Sequence, residues 1–452
     1  MVDGPELMED MNQMSDATDN VGIKLTLPPK QVTAVIIMAL IGWMLASYDF
    51  NLVVVSLPAI SSQLNISALY IGFLFFGIYA GMWAASTFAG IATDRWGRKN
   101  LWMIILAIAA TFTGLTAIVQ NFTELLLVRM VASGFAMSEL AVSSTYVNEI
   151  LPEKHRGFLY SIVQGGWPLG VSLASAVYIL VEPIYGWRVV FLFGILPLAA
   201  VAAGRFFLPE STRYEHLSKV KENLKSGNKD KVSELLKLNP VETKELKHTS
   251  VRQLFSKDFG LRRQIIILII VWIFFGFAWL PGNSYITYWL TSIDHFTSVQ
   301  AATMLLYAGG FGFLFYLVGG FAGNYISKKY VMGITASFVA ILYLIFPHLS
   351  GYIEVFLGVF FIAQVTNGSW SGVGFTYNAE SFPTRARGTA EGVVIGAYSA
   401  SFAIGSLLWG VLFTIGPYFA WYILGVGFGV GLLLIFAARP IPPRAKLEEV
   451  AY

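Results

Sequence analysis

The sequence predicts an all-α integral membrane protein, with twelve transmembrane helices arranged as two six-helix halves related by a pseudo-repeat. Three observations predict it. The composition is poor in charge, basic residues fall at alternate connections, and two short motifs recur at nearly one offset.

Of 452 residues, 56% are hydrophobic and only 13% charged, whereas soluble domains carry roughly 25% charged residues. Aromatic residues reach 15%, and the 43 glycines and 17 prolines suit membrane helices, which tolerate both. The absence of cysteine excludes a disulfide framework, a thiol nucleophile and a Cys-ligated metal. A net charge of +3 marks no nucleic-acid partner.

Residues 1–31 read as a polar, acidic cytoplasmic tail, without the basic and apolar regions of a cleavable signal peptide. Spans need about 20 mainly apolar residues. Twelve stretches fit: 32–57, 68–93, 100–120, 123–150, 157–181 and 188–208 in an N-terminal half (32–208), then 264–291, 299–326, 330–347, 352–379, 388–415 and 417–438 in a C-terminal half (264–438). Between the halves lies the polar insert 209–263, whose run EHLSKVKENLKSGNKDKVSELLKL suggests short cytosolic helices. Residues 439–452 form a second cytoplasmic tail.

Apart from Arg129 and Arg188, the basic residues fall in the tails or in and beside the even-numbered connections. The positive-inside rule then places both termini and the insert in the cytoplasm of a multi-pass plasma-membrane protein. The repeat supports the same layout. GIATDRWGRK (Gly90–Lys99) is echoed 230 residues later by GFAGNYISKK (Gly320–Lys329), and EILPEKHRG (Glu149–Gly157) 231 residues later by ESFPTRARG (Glu380–Gly388). Two parallel halves of this kind predict a cavity at their interface.

These motifs resemble the major facilitator superfamily over about residues 30–440. Gly90, Asp94, Arg95, Gly97, Arg98 and Lys99 resemble its loop 2–3 signature. Glu149, Arg156 and Gly157, with Glu380, Arg387 and Gly388, resemble its paired "E…RG" elements, and LPESTRY from Leu208 resembles the element after span 6 of sugar porters. GWMLASYDF (Gly42–Phe50), GFAMSE (Gly134–Glu139) and RGTAEG (Arg387–Gly392) resemble the metabolite–proton symporters of lactate, sialate and aromatic acids. Ala46, Ser138 and Glu391 stand where that group often has an acid, Gly and Gln, and an Arg common later in span 11 is missing. The resemblance implies a cytoplasmic gate of Gly90, Asp94, Arg95, Gly97, Arg98, Glu149, Arg156, Glu380 and Arg387, with Asp94 facing the N-terminus of span 11. Basic loops that only fix topology are the alternative reading.

Deep in the spans the ionisable groups are Asp49, Arg129 and Glu139, each costing roughly 2.5–3.5 kcal/mol unless it meets a partner or a cavity. Asp49 lies on the order of 26 Å from the inner end of span 1, and Arg129 about six residues from the outer end of span 4. Both therefore fall in the outer half at similar depth. Paired, they keep the carboxylate charged; separated by a gating movement, the carboxylate takes a proton. The resemblance to sugar-porter-like symporters implies these coupling roles, and a static pair is the alternative. Glu139, about 15 Å deeper than Arg129, suits a substrate contact, a second protonation site or a helix-to-helix hydrogen bond. Further cavity candidates are Gln164, Trp167, Trp279, Asn283, Asn367 and Trp370, although membrane tryptophans often only pack.

No P-loop, nucleophile elbow or zinc motif occurs, and the five histidines show no metal-ligand spacing. The expectation is no enzyme, no cofactor and no metal. The chain is read as a monomeric secondary transporter of protons and a small organic metabolite, an organic acid or sugar. A uniporter, an antiporter or exporter (GGWPLG, Gly165–Gly170, is a fragment of the antiporter motif) and a transporter-like nutrient sensor are the alternatives.

Overall fold

The computed structural model describes residues 29–96, 98–150, 156–195, 254–255, 261–364, 368, 370–382 and 384–442, with six further positions between 219 and 234. Among the described residues the regular structure is helical. The first group comprises α1 (Pro29–Gln63), α2 (Ala68–Trp96), α3 (Arg98–Leu115), α4 (Phe122–Ile150), α5 (Arg156–Gln164), α6 (Gly166–Tyr185) and α7 (Trp187–Leu192). The second comprises α8 (Arg262–Gly282), α9 (Ile286–Ser292), α10 (Ser298–Ala322), α11 (Lys328–Ile345), α12 (Tyr352–Gln364), α13 (Trp370–Glu380), α14 (Thr384–Ile415) and α15 (Pro417–Trp421), followed by short π, α and 3-10 turns to Ala437.

Among the described residues nine helical stretches are long and apolar enough to cross a membrane. The 29-residue α4 accompanies them, and the 13-residue α12 stops where residues 365–367 fall outside the described residues. Large apolar side chains face outward around the bundle, Leu180 and Ile184 being 72% exposed. A water-soluble monomer rarely exposes so much contiguous apolar surface, whereas hydrocarbon accommodates it. The fold is an all-α integral membrane fold.

Glycine and proline set the local departures from straight helices. Pro58 lies inside α1 and has no N–H to give the carbonyl four residues back. That carbonyl, on Val54, instead accepts the Thr287 hydroxyl of α9. The single stretch expected over 264–291 is broken in two. Pro281 interrupts the ladder, Gly282 N–H turns to the Tyr343 hydroxyl (3.2 Å), and Asn283 Nδ2 donates to Trp279 O (2.9 Å). A Cβ on Gly282 would lie 2.3 Å from Ile362 Cγ2, so only glycine fits that approach.

At the end of the bundle carrying the 63–68 and 292–298 connections, the two groups of helices are sealed together. Tyr79 and Ser284 hydroxyls lie 2.7 Å apart, and Tyr285 stacks on Trp409 with centroids 3.8 Å apart. The α2 and α14 backbones touch where a Cβ on Gly72 would fall 2.7 Å from Ser406 O. Small residues let membrane helices approach this closely.

In the connection between α9 and α10, burial pushes the Asp294 carboxyl from 3.8 up to about 6, against the lowering effects of Trp289 and His295. The folded chain thus holds this proton more tightly than the unfolded one, so Asp294 costs stability as pH rises from about 4 through about 6. Asp294→Asn is expected to raise the melting temperature in detergent at pH 7.5 and to leave it unchanged near pH 3. A lower melting temperature at pH 7.5 would refute this.

Candidate functional site

The helical spacing of α4 puts Arg129 and Ser133, four residues apart, on one face, and α1 brings Asp49 against it. Arg129 Nη2 lies 2.8 Å from Asp49 Oδ2 and 3.2 Å from the Asp49 backbone carbonyl. Ser133 accepts from Arg129 Nη2 at 2.5 Å and donates to Asp49 Oδ2 at 3.0 Å. From α3, Thr113 donates to Asp49 Oδ1. The guanidinium also faces Thr116 Oγ1 at 3.4 Å, and its carbon stands 5.4 Å from the centre of the Phe191 ring. Arg129 is fully buried and Asp49 nearly so. A buried ion pair needs further hydrogen bonds to its remaining lone pairs and protons to offset desolvation; the three hydroxyls supply several of them, while Arg129 Nε has no partner among the described residues.

Asp49 is followed in α1 by Phe50 and Asn51, and both line cavities between the two groups of helices. The larger cavity is walled from the first group by Trp43, Phe50, Tyr79, Gln164 and Trp167, and from the second by Trp279, Tyr316, Ser371, Phe375, Tyr398 and Phe402. Its rings touch across the interface: Trp167 to Trp279 at 6.3 Å, Phe50 to Trp279 at 6.3 Å, and Tyr79 stacked on Phe402 at 4.9 Å between centroids. A second, adjoining cavity is lined by Asn51, Asn283, Trp167 and Trp279. Four of the candidates read from sequence (Gln164, Trp167, Trp279 and Asn283) therefore gather at one interface.

Two candidates sit elsewhere and are corrected as cavity residues. Trp370 is buried inside the second group, stacked on Phe275 at 5.2 Å, because its register on α13 turns it toward α8. Glu139 is buried between α1, α3 and α4, where Trp102 Nε1 donates to Oε1 at 2.9 Å. Gly42 leaves room for both, since a Cβ there would lie 2.4 Å from the Trp102 ring and 2.6 Å from Oε1. Glu139→Gln keeps a carbonyl acceptor for the indole and is expected to unfold like the parent. Glu139→Ala strands that donor and should cost about 1–3 kcal/mol in detergent unfolding. Equal losses in both variants would show that the carboxyl itself is required.

Among the gate candidates, Gly97 and the side-chain environments of Gly90, Asp94, Arg95, Arg98, Glu149, Arg156 and Arg387 lie outside the described residues, as does the cavity candidate Asn367. Glu380 is described. Both its carboxylate oxygens accept from Lys328 Nζ at 2.8 Å, so this contact links α11 to α13 within the second group and does not bridge the groups. The hydroxyl partners Thr113, Thr116 and Ser133 were missed by sequence reading. Only Ser133, one helical turn from Arg129, left a trace there. Lys329, read as a loop charge, is also buried, and its Nζ caps Phe436 O and Ala438 O at 3.0 and 2.8 Å.

The chain is 25% identical over 370 residues to the cis,cis-muconate transport protein of Acinetobacter baylyi, covering 80% of this chain and 82% of that protein. It is 25% identical over 406 residues to the sialic acid transporter NanX of Escherichia coli, covering 88% and 89%. Among solved structures it superposes on a D-xylose–proton symporter with a TM-score of 0.70 at 17% identity, covering 91% of this chain and 98% of that one. These structural likenesses speak to the fold. The family model of the Major Facilitator Superfamily matches residues 39–368 and again 295–451, and the chain belongs to that superfamily.

Proposed function

We propose that this chain is a proton-coupled importer of a small organic metabolite, an organic acid or a sugar, with Asp49 and Arg129 as the coupling pair. Its superfamily makes it a secondary active transporter of small organic metabolites that works by alternating access, and not an enzyme. The supporting observation is the buried pair itself, which adjoins cavity-lining Phe50 and Asn51 on the same helix. Movement of α1 around a bound metabolite would pull Asp49 from Arg129 and let it accept a proton; restoring the pair would release that proton on the other side. Relatives described as transporting muconate and sialic acid, and a proton symporter among the structural neighbours, are consistent with this reading.

The proposal extends to architecture. Twelve helices form two six-helix halves within a monomer, and the basic connections and both termini face the cytoplasm of the plasma membrane. The sealed end is then the outer one. Asp94, Arg95, Arg98, Glu149 and Arg156 form the inner gate, with Glu380 steadying the second half through Lys328.

The test is reconstitution in liposomes, with internal pH followed while monocarboxylates, aromatic acids and hexoses are offered, and protein-free liposomes as the control for weak acids. Substrate uptake with matching proton entry is expected. Uptake without proton movement would make the protein a uniporter.

A further inference from the structure

From the larger interface cavity we infer that the metabolite is taken as a flat, conjugated ring carrying no net charge when bound. This rests on the proposal above that the chain carries a small organic metabolite, with this cavity taken as its site, and it replaces the organic acid or sugar named there by an uncharged ring. The described residues lining it include no Lys, Arg, His, Asp or Glu. In this state the nearby charges of Asp49 and Arg129 are paired with each other, and neither lines the cavity. An ion brought into such a site gives up its hydration and meets no counter-charge, which weakens its binding.

The walls point to ring-shaped ligands. Phe50 lies 5.8 Å from Trp167 and 6.3 Å from Trp279, and Tyr398 lies 4.6 Å from Phe402. Aromatic rings therefore face the space from both groups of helices. Stacked and edge-on ring contacts add to the burial of apolar area, and a flat ring can make them with the rings that line this space. A hexose offers several hydroxyls, each needing a partner when buried, whereas this larger cavity brings chiefly the Gln164 amide and the hydroxyls of Ser371 and the tyrosines. These suit one amide, carbonyl or hydroxyl substituent on the ring.

The purified full chain in lipid nanodiscs is titrated at pH 7.5 with benzamide and phenol as uncharged rings, benzoate as the isosteric anion, N-methylpyridinium as the cation, and glucose. Binding is read by calorimetry and by tryptophan fluorescence. The uncharged rings are expected to bind and benzoate to bind at least tenfold more weakly. Trp279→Leu and Trp167→Leu should each weaken benzamide about tenfold, the size of losing one aromatic contact with its buried area. Comparing ligands on the parent chain keeps the test intact if either variant misfolds. Benzoate, N-methylpyridinium or glucose binding as tightly as benzamide overturns the inference, and so does a failure of both uncharged rings to bind. The liposome assay separates this from the coupling proposal. Benzamide uptake with no proton movement sinks coupling alone, and benzoate binding at pH 7.5 as tightly as benzamide sinks the uncharged-ring inference alone.

Discussion

Asp49→Asn in liposomes is expected to abolish uphill accumulation while leaving downhill exchange of the same substrate measurable. With one proton coupled to each substrate, every unit of imposed pH gradient supports about a tenfold concentration ratio, or 1.4 kcal/mol. The variant should bring that ratio to about one. Asparagine is close to aspartate in size and can still meet Thr113 and Ser133, the hydroxyls that hold Asp49 now. It cannot carry a transferable proton, so the loss falls on coupling and not on the cavity. Uphill accumulation by Asp49→Asn at the parent's ratio would remove Asp49 from the mechanism.

The second large effect concerns stability. Arg129→Met leaves the buried Asp49 without its cation, and breaking a buried pair from one side costs about 3–5 kcal/mol. Asp49→Asn strands the guanidinium in the same way, with Arg129 fully buried. The double variant Asp49→Asn/Arg129→Met removes both charges and should regain most of the loss, giving a coupling energy of opposite sign in a double-mutant cycle. Chemical unfolding in detergent measures all three. Transport by the double variant should stay uncoupled even where its stability returns. That outcome separates a proton-carrying pair from one that only orders α1 against α4. Two harmless single substitutions would mean that water reaches the pair.

Much of this was legible in the residues. The depth match of Asp49 and Arg129 follows from counting along two helices of opposite direction, since the rise per residue is fixed. Gln164, Trp167, Trp279 and Asn283 could be listed because polar and indole side chains are few inside these spans. Their meeting at one interface could not, because rotation about a helix axis is set by neighbours on other helices. The same reason explains Glu139 and Trp370. Both looked like cavity residues by depth, and the rotations of α4 and α13 turned them into packing. The break after Pro281 was half legible: the proline was visible, but the Tyr343 hydroxyl that receives Gly282 N–H comes from α11.

The sequence by itself determined the membrane class, the superfamily and the two charges that need each other. Those rest on apolar length, motif spacing and the cost of burying charge, all of which are properties of the chain in order. Only the tertiary structure decided that three hydroxyls from α3, α4 and the turn after α3 surround the ion pair, and that the interface cavity is walled by rings and lined by no described charge. Such facts depend on which faces of separate helices meet, and packing settles that only when all the helices are in place.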